Sequence, residues 1–231
     1  MLRIETRTRQ RLHALQFELG RRDLALKGLR DLRGRAGLQA DEKTLLEAEL
    51  LRVGDSVDGT DLLEQAVAIV DFPVHARVLC LLQPGCDAPR ILPLLNAAAG
   101  KARSHGAHGL WLSLQTRRVA ALRAVGRFDD ARAQALAVWQ RVEEGIAGLE
   151  MFPRMAAELF AALADSHVDV AQVIALRASA WMQQAAATLP PVWRENYLMR
   201  APILQTLPSA ARASLLSPPP QGGHPLAGSG A

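Results

Sequence analysis

The chain has 231 residues, 49% of them hydrophobic, which is enough to bury a sizeable core and too apolar for a disordered polymer. Its net charge of +4 is carried mostly by arginine, which permits an acidic partner without demanding one. Cys80 and Cys86 lack CxxC spacing and are too few for a disulfide framework, no run reaches the roughly 18 apolar residues of a membrane span, and Met1–Glu5 has no apolar signal core; a cytoplasmic chain with reduced thiols is expected.

Ala, Leu, Arg, Gln and Glu dominate, and they lose little rotamer freedom in a helix. No alternating Val/Ile/Thr/Tyr run reads as a strand, so the fold class is all-α. Taken in order, Leu12, Leu15 and Leu19 form a first stripe ending near Gly20, and Leu24, Leu29 and Leu32 a second ending near Gly34 or Gly37. Leu45, Leu46, Ala48, Leu50 and Val53 make a third, closed by Gly54. Asp61 and Glu64 read as a capping-box start, with Leu63, Val67 and Val70 continuing the helix and Pro73 stopping it. Val74 to Leu82 is a short helix ended by Pro84-Gly85, and Pro89 opens the next, with Pro93 as its start or a kink.

Gly106 and Gly109 flank a loop. Trp111, Leu114, Leu122 and Val125 line a long helix, Gly126 to Asp129 turns, and Ala131, Ala135, Val138 and Val142 follow at helical spacing, ended by Gly145 and Gly148. Phe152, Met155, Leu159 and Leu163 define one more helix. Val170, Ile174, Ala178, Trp181 and Ala185 define another, ended by Pro190-Pro191, and a last one covers Trp193 to Leu207. The Pro/Gly-rich stretch 208–231 has no apolar stripe and is expected to be a disordered tail, leaving 1–207 as the helical domain.

Gly20, Gly54, Gly85, Gly126 and Ser166 each close a candidate first helix, with separations of 34, 31, 41 and 40. Such periods belong to helical-hairpin repeats, in which neighbours stack because one hairpin cannot bury its stripe alone. Gly126, Phe128, Asp129, Asp130 and Ala131 resemble the turn between the two helices of a tetratricopeptide repeat; Gly20 to Ala25 is a weaker copy. Gln115 and Val119 depart from the aromatic and small residues of that family's first helix. Trp181 to Pro190, Trp193 to Leu198 and Ala201 to Leu204 resemble the closing segment of bacterial ATPase or DNA-binding regulators that carry tetratricopeptide-like repeats. These resemblances imply a tetratricopeptide-like α-solenoid of stacked antiparallel hairpins with a C-terminal capping helix.

The chain has no GxxxxGK[ST], GxGxxG, HExxH or GxSxG pattern. His105 and His108 lack a third ligand, and Cys80 with His75 lacks an orienting partner, so no enzyme, metal or cofactor is expected. The tryptophans read as core anchors. The expected function is a non-catalytic protein–protein scaffold in bacterial signalling or transcription regulation, binding another protein or peptide on a concave helical face. The expected partner-binding residues are Gln115, Arg117 and Arg118, with Asn196 and Arg200 beside them. The alternative is a nucleic-acid-binding helical protein using the Arg-rich stretch from Arg3 to Arg35.

Overall fold

A computed structural model describes residues 2–56, 58–82, 87–145 and 152–200, with only the backbone at 2–4, 60 and 200. Among the described residues every regular element is a helix. In chain order they are α1 (Leu2–Glu18), α2 (Arg22–Arg33), α3 (Ala40–Val53), α4 (Gly59–Val67), α5 (Phe72–Leu81) and α6 (Ala88–Ser104). There follow α7 (His108–Ala124), α8 (Phe128–Glu143), α9 (Phe152–Leu163), α10 (Val168–Ala187) and α11 (Pro191–Arg200).

Local chemistry explains the helix ends. The Gln39 amide donates to the Glu42 carboxylate at 3.1 Å, forming the capping box that opens α3. The same helix closes where Gly54 turns left-handed at φ +90° and the Asp55 amide reaches back to the Leu50 carbonyl. Gly126 does the same for α7 at φ +76°, with the Arg127 amide on the Leu122 carbonyl. Asp71 accepts from the Val74 amide, so α5 starts with Pro73 inside its first turn.

Every helix packs on its sequence neighbour, and the odd-numbered helices α1, α3, α5, α7 and α9 also touch in succession. The apolar interior follows that row. Phe17, Ala25, Leu29, Leu46 and Leu50 bury together at the N-terminal end. Leu45, Leu63, Leu79, Ile91 and Leu95 form the middle. Val138, Trp139, Met155, Leu159 and Ile174 form the C-terminal part. Helix α7 belongs to two clusters at once, giving Leu114 and Ala121 to the middle and Leu112, Val119 and Leu122 to the C-terminal part. It is therefore enclosed on most sides, and polar residues on it are drawn inward as well. Leu19, at the end of α1, and Tyr197, on α11, both belong to the C-terminal cluster, so the two ends of the described chain share one core.

The turn residues at Gly20, Gly54, Gly126 and Ser166 each fall between an odd helix and the even helix after it. Gly85, the tail 208–231, Gly148, and 201–207 of the last expected helix lie outside the described residues. Several expectations need correction. Leu12 and Leu15 are 51% and 54% exposed, while α1 buries Thr6, Gln10 and Phe17. Helix α4 opens at Gly59 and ends at Val67, leaving Val70 in solvent at 96% exposure; Pro73 opens a helix rather than ending one. Gly109 lies inside α7, Pro93 inside α6, and Pro191 opens α11. Of the tryptophans only Trp139 is core; Trp111 is half-buried, and Trp181 and Trp193 are exposed.

Candidate functional site

The expected site residues divide when placed on the helix. At about 100° per residue, Gln115 and Arg117 stand on opposite sides of α7. Gln115 is buried, and its Oε1 has no hydrogen-bond partner among the described residues. Arg118 is half-buried, donates to Gln134 Oε1 at 2.6 Å, and lines a groove of about 480 Å³ with Leu92, Pro93, Asn96, Leu122 and Val125. That groove is mostly apolar and lies between α6 and α7. Asn196 is half-buried, its amide on the Val192 carbonyl at 3.4 Å; of Arg200 only the backbone is described.

Arg117 leads to a different arrangement. It is buried and pairs with Glu158 on α9 at 3.7 Å, and Arg123, one and a half turns further along α7, approaches the other oxygen of the same carboxylate at 3.9 Å. On α3, Arg52 pairs with Glu49 at 2.8 Å and with Glu18 of α1, and its guanidinium lies over the Phe17 ring at 4.7 Å. The Arg52 and Glu49 side chains are only 6% and 4% exposed. Burial opposes the charge on Arg52, but the two carboxylates outweigh it, so the guanidinium holds its proton above the ordinary arginine range.

Arg154 of α9 lies within electrostatic reach of both groups. Burial, and then the neighbouring Arg52, lower its proton affinity, while Glu18, Glu158 and Glu49 act in the opposite sense. It makes no ion pair or hydrogen bond with the described residues. Cys80 of α5 adjoins the same place. Burial pushes its thiol up to about 12, although Arg117, Arg154 and Arg77 all pull the other way. That direction favours the protonated thiol over the thiolate. Tyr197 of α11 is pushed up to about 12 by burial and then by Glu18.

Every residue of this cluster stands on an odd-numbered helix. The odd row therefore carries a charged seam in two groups: Arg52 with Glu18 and Glu49 on α1 and α3, and Arg117 and Arg123 with Glu158 on α7 and α9. Its solvent edge is formed by Glu18 and Arg123, each with a 35% exposed side chain, and Glu158 at 26%. Only Arg117 of this set stood among the expected site residues. The available signal was a pair of opposite charges, Glu49 and Arg52, three apart inside the run Leu45–Val53, where Glu47 is the other charge.

The Arg-rich N-terminal stretch is largely engaged within the chain. Arg22 donates to the carbonyls of Val53 at 2.7 Å and Gly54 at 3.2 Å, completing the C-terminus of α3. Arg30 pairs with Asp55 at 2.6 Å, and its hydrogen bond holds that carboxyl below the usual range. Arg9 and Arg35 share Glu5, Arg7 approaches Asp71, and Arg21 lies over Trp193 at 5.7 Å. His105 caps α6 and stacks on Phe72 at 5.7 Å between centroids. Among the described residues no three His, Cys, Asp or Glu side chains converge, and no helix is long and apolar enough to cross a membrane. Scans of the chain against protein-family models, curated proteins and solved structures match nothing.

Proposed function

We propose that this chain is a non-catalytic scaffold, a tetratricopeptide-like stack of helical hairpins that binds a segment of another protein along its odd-numbered helices. The observation that carries this reading is the charged seam on the row α1, α3, α5, α7 and α9. In a hairpin stack the first helices line one continuous face, and a face that presents fixed charges at its edge suits an extended or helical peptide. The resemblance of Trp181 to Leu204 to the end of bacterial regulators supports a role for such a scaffold in signalling or transcription control.

The test is selection from a random peptide display library, followed by cross-linking. A photo-reactive residue at position 123, on the edge of the seam, should capture the selected peptide; one at position 141, on the exposed side of α8, should not. Failure to enrich any peptide, or capture at 141 alone, sinks the scaffold reading. The nucleic-acid alternative predicts binding of duplex DNA that weakens steeply with salt. The engagement of Arg22, Arg30 and Arg35 within the chain disfavours it.

A further inference from the structure

The groove beside Arg118 carries chemistry that the seam does not use. Arg118, Leu122 and Val125 are four and three residues apart, which keeps them on one side of α7 and its closing residue. At about 100° per residue, that side lies across the helix from the one shared by Arg117 and Arg123. The facing wall is α6, where Pro89, Leu92, Pro93 and Asn96 share a side in the same way. Two of the lining residues are arginines and none is acidic. Arg127 is taken by Asp130 at 2.6 Å. Arg118 is half-buried, and among the described residues its guanidinium donates to the neutral Gln134 Oε1 and has no carboxylate within ion-pair distance. An amide oxygen satisfies one of the five N–H donors and none of the charge. The α6 wall is also polar in its main chain. Pro93 has no amide hydrogen for the Pro89 carbonyl one turn back, so α6 leaves that acceptor without its helical donor on the side both prolines line.

We propose that this groove is a second docking site, which binds an extended segment of a partner protein in which an acidic residue stands beside an apolar one. The carboxylate meets Arg118, and the apolar side chain packs against Leu92, Leu122 and Val125. The site goes beyond the seam and does not depend on it, since it opens on the other side of α7. Charge complementarity selects the carboxylate: the planar guanidinium fork matches it, and a charge-assisted hydrogen bond is about twice as strong as the neutral one to Gln134. The volume of about 480 Å³ falls within the range of about 300–1,000 Å³ of sites that enclose a ligand. The Pro89 carbonyl and the exposed Asn96 amide offer partners to a main-chain N–H and C=O, which the alkyl chain of a fatty acid lacks. A nucleic-acid backbone with closely spaced phosphates calls for a row of cations, and here Arg118 is a single cation without a counter-ion among the lining residues.

The experiment is fluorescence anisotropy on the full chain with a labelled, end-capped peptide of four Leu-Glu-Ser repeats. Its comparisons carry glutamine for glutamate or serine for leucine, and decanoate is the competitor. The parent peptide should bind in preference to both comparisons. Arg118→Gln should weaken it by about tenfold or more, the loss of one charge-assisted contact. Gln134→Glu, which gives Arg118 a carboxylate within the chain, should weaken the glutamate peptide and spare the glutamine one, a selective loss that misfolding cannot imitate. Arg141→Gln, which removes an exposed arginine paired with Glu144, should change nothing. A photo-reactive residue at position 96, exposed on the α6 wall, should capture the peptide. Equal binding of the glutamate and glutamine peptides, an unaffected Arg118→Gln, or an equal loss of both peptides with Gln134→Glu overturns the proposal. Displacement by decanoate more readily than by unlabelled peptide would make the occupant a fatty acid and also overturn it. Capture at position 123 and not at 96 would overturn this inference while leaving the seam in place; capture at 96 alone would support it without the seam.

Discussion

Replacing Arg52 by alanine should be among the most damaging single changes on the odd-numbered row. The substitution strands Glu49, whose side chain is 4% exposed, and releases Glu18, which is 35% exposed. Removing one partner of a buried ion pair costs about 3–5 kcal/mol, because the remaining charge stays out of water. The half-open Glu18 pair adds only about 0–1 kcal/mol, since solvent screens it. The stacking of Arg52 on Phe17, at 4.7 Å, accounts for about 0.5–1 kcal/mol more. A loss of about 3.5–7 kcal/mol overall is expected, against the total of about 5–15 kcal/mol typical of folded domains. In urea the midpoint should fall by about 1–3 M with little change in slope. The control is Arg52→Met with Glu49→Leu, which removes both buried charges and fills the space; it should recover most of the loss. If Arg52→Ala costs under about 0.5 kcal/mol, or if the double variant is worse than the single, the seam is not the buried pair described here.

Three further outcomes follow from the same geometry. Tyr197 is the only tyrosine, so phenolate absorbance reads it directly; the native step should fall near 12 and the unfolded one at about 10. Because its folded value is raised, Tyr197 contributes stability below the unfolded value that is lost as pH rises through the folded one, and a native step near the unfolded value would mean that Tyr197 is not buried against the C-terminal core. His75, with Nε2 buried and unbonded among the described residues, has its proton affinity lowered by burial and then by Lys101. Its contribution to stability is therefore present above about 6.5 and lost as pH falls below that, so His75→Phe should flatten the decline of the melting temperature on acidification; an unchanged decline would refute the assignment. Gly54→Ala forces a side chain into φ +90° and into the Arg22 guanidinium, at a cost of about 1–3 kcal/mol in thermal melts. In an Arg22→Ala background only the backbone strain remains, so the two changes should combine non-additively.

The helices and most of their inward residues were legible because helix periodicity is a local property. Ala131, Ala135, Val138 and Val142 recur at helical spacing in the sequence, and all four are buried in the fold. The left-handed turns at Gly54 and Gly126 were legible for the same reason, since a positive φ selects glycine without reference to the rest of the chain. The Leu12/Leu15 stripe misled because, among the described residues, the helices packed on α1 leave the face that carries Leu12 and Leu15 uncovered. Arg117 and Arg118 were both expected on a concave face because they share the first helix of a hairpin, although adjacent helical residues point about 100° apart.

The sequence by itself determined that the chain is helical, where most helices begin and end, and that Gly20, Gly54, Gly126 and Ser166 fall in turns between an odd helix and the even one after it. Only the tertiary structure decided which polar residues face one another. Glu18, Arg52, Arg117, Arg154 and Glu158 come from four helices scattered along the chain, and nothing in their local spacing relates them. Packing the odd helices side by side brings them into one low-dielectric seam, and burial there makes their charges interact strongly enough to matter.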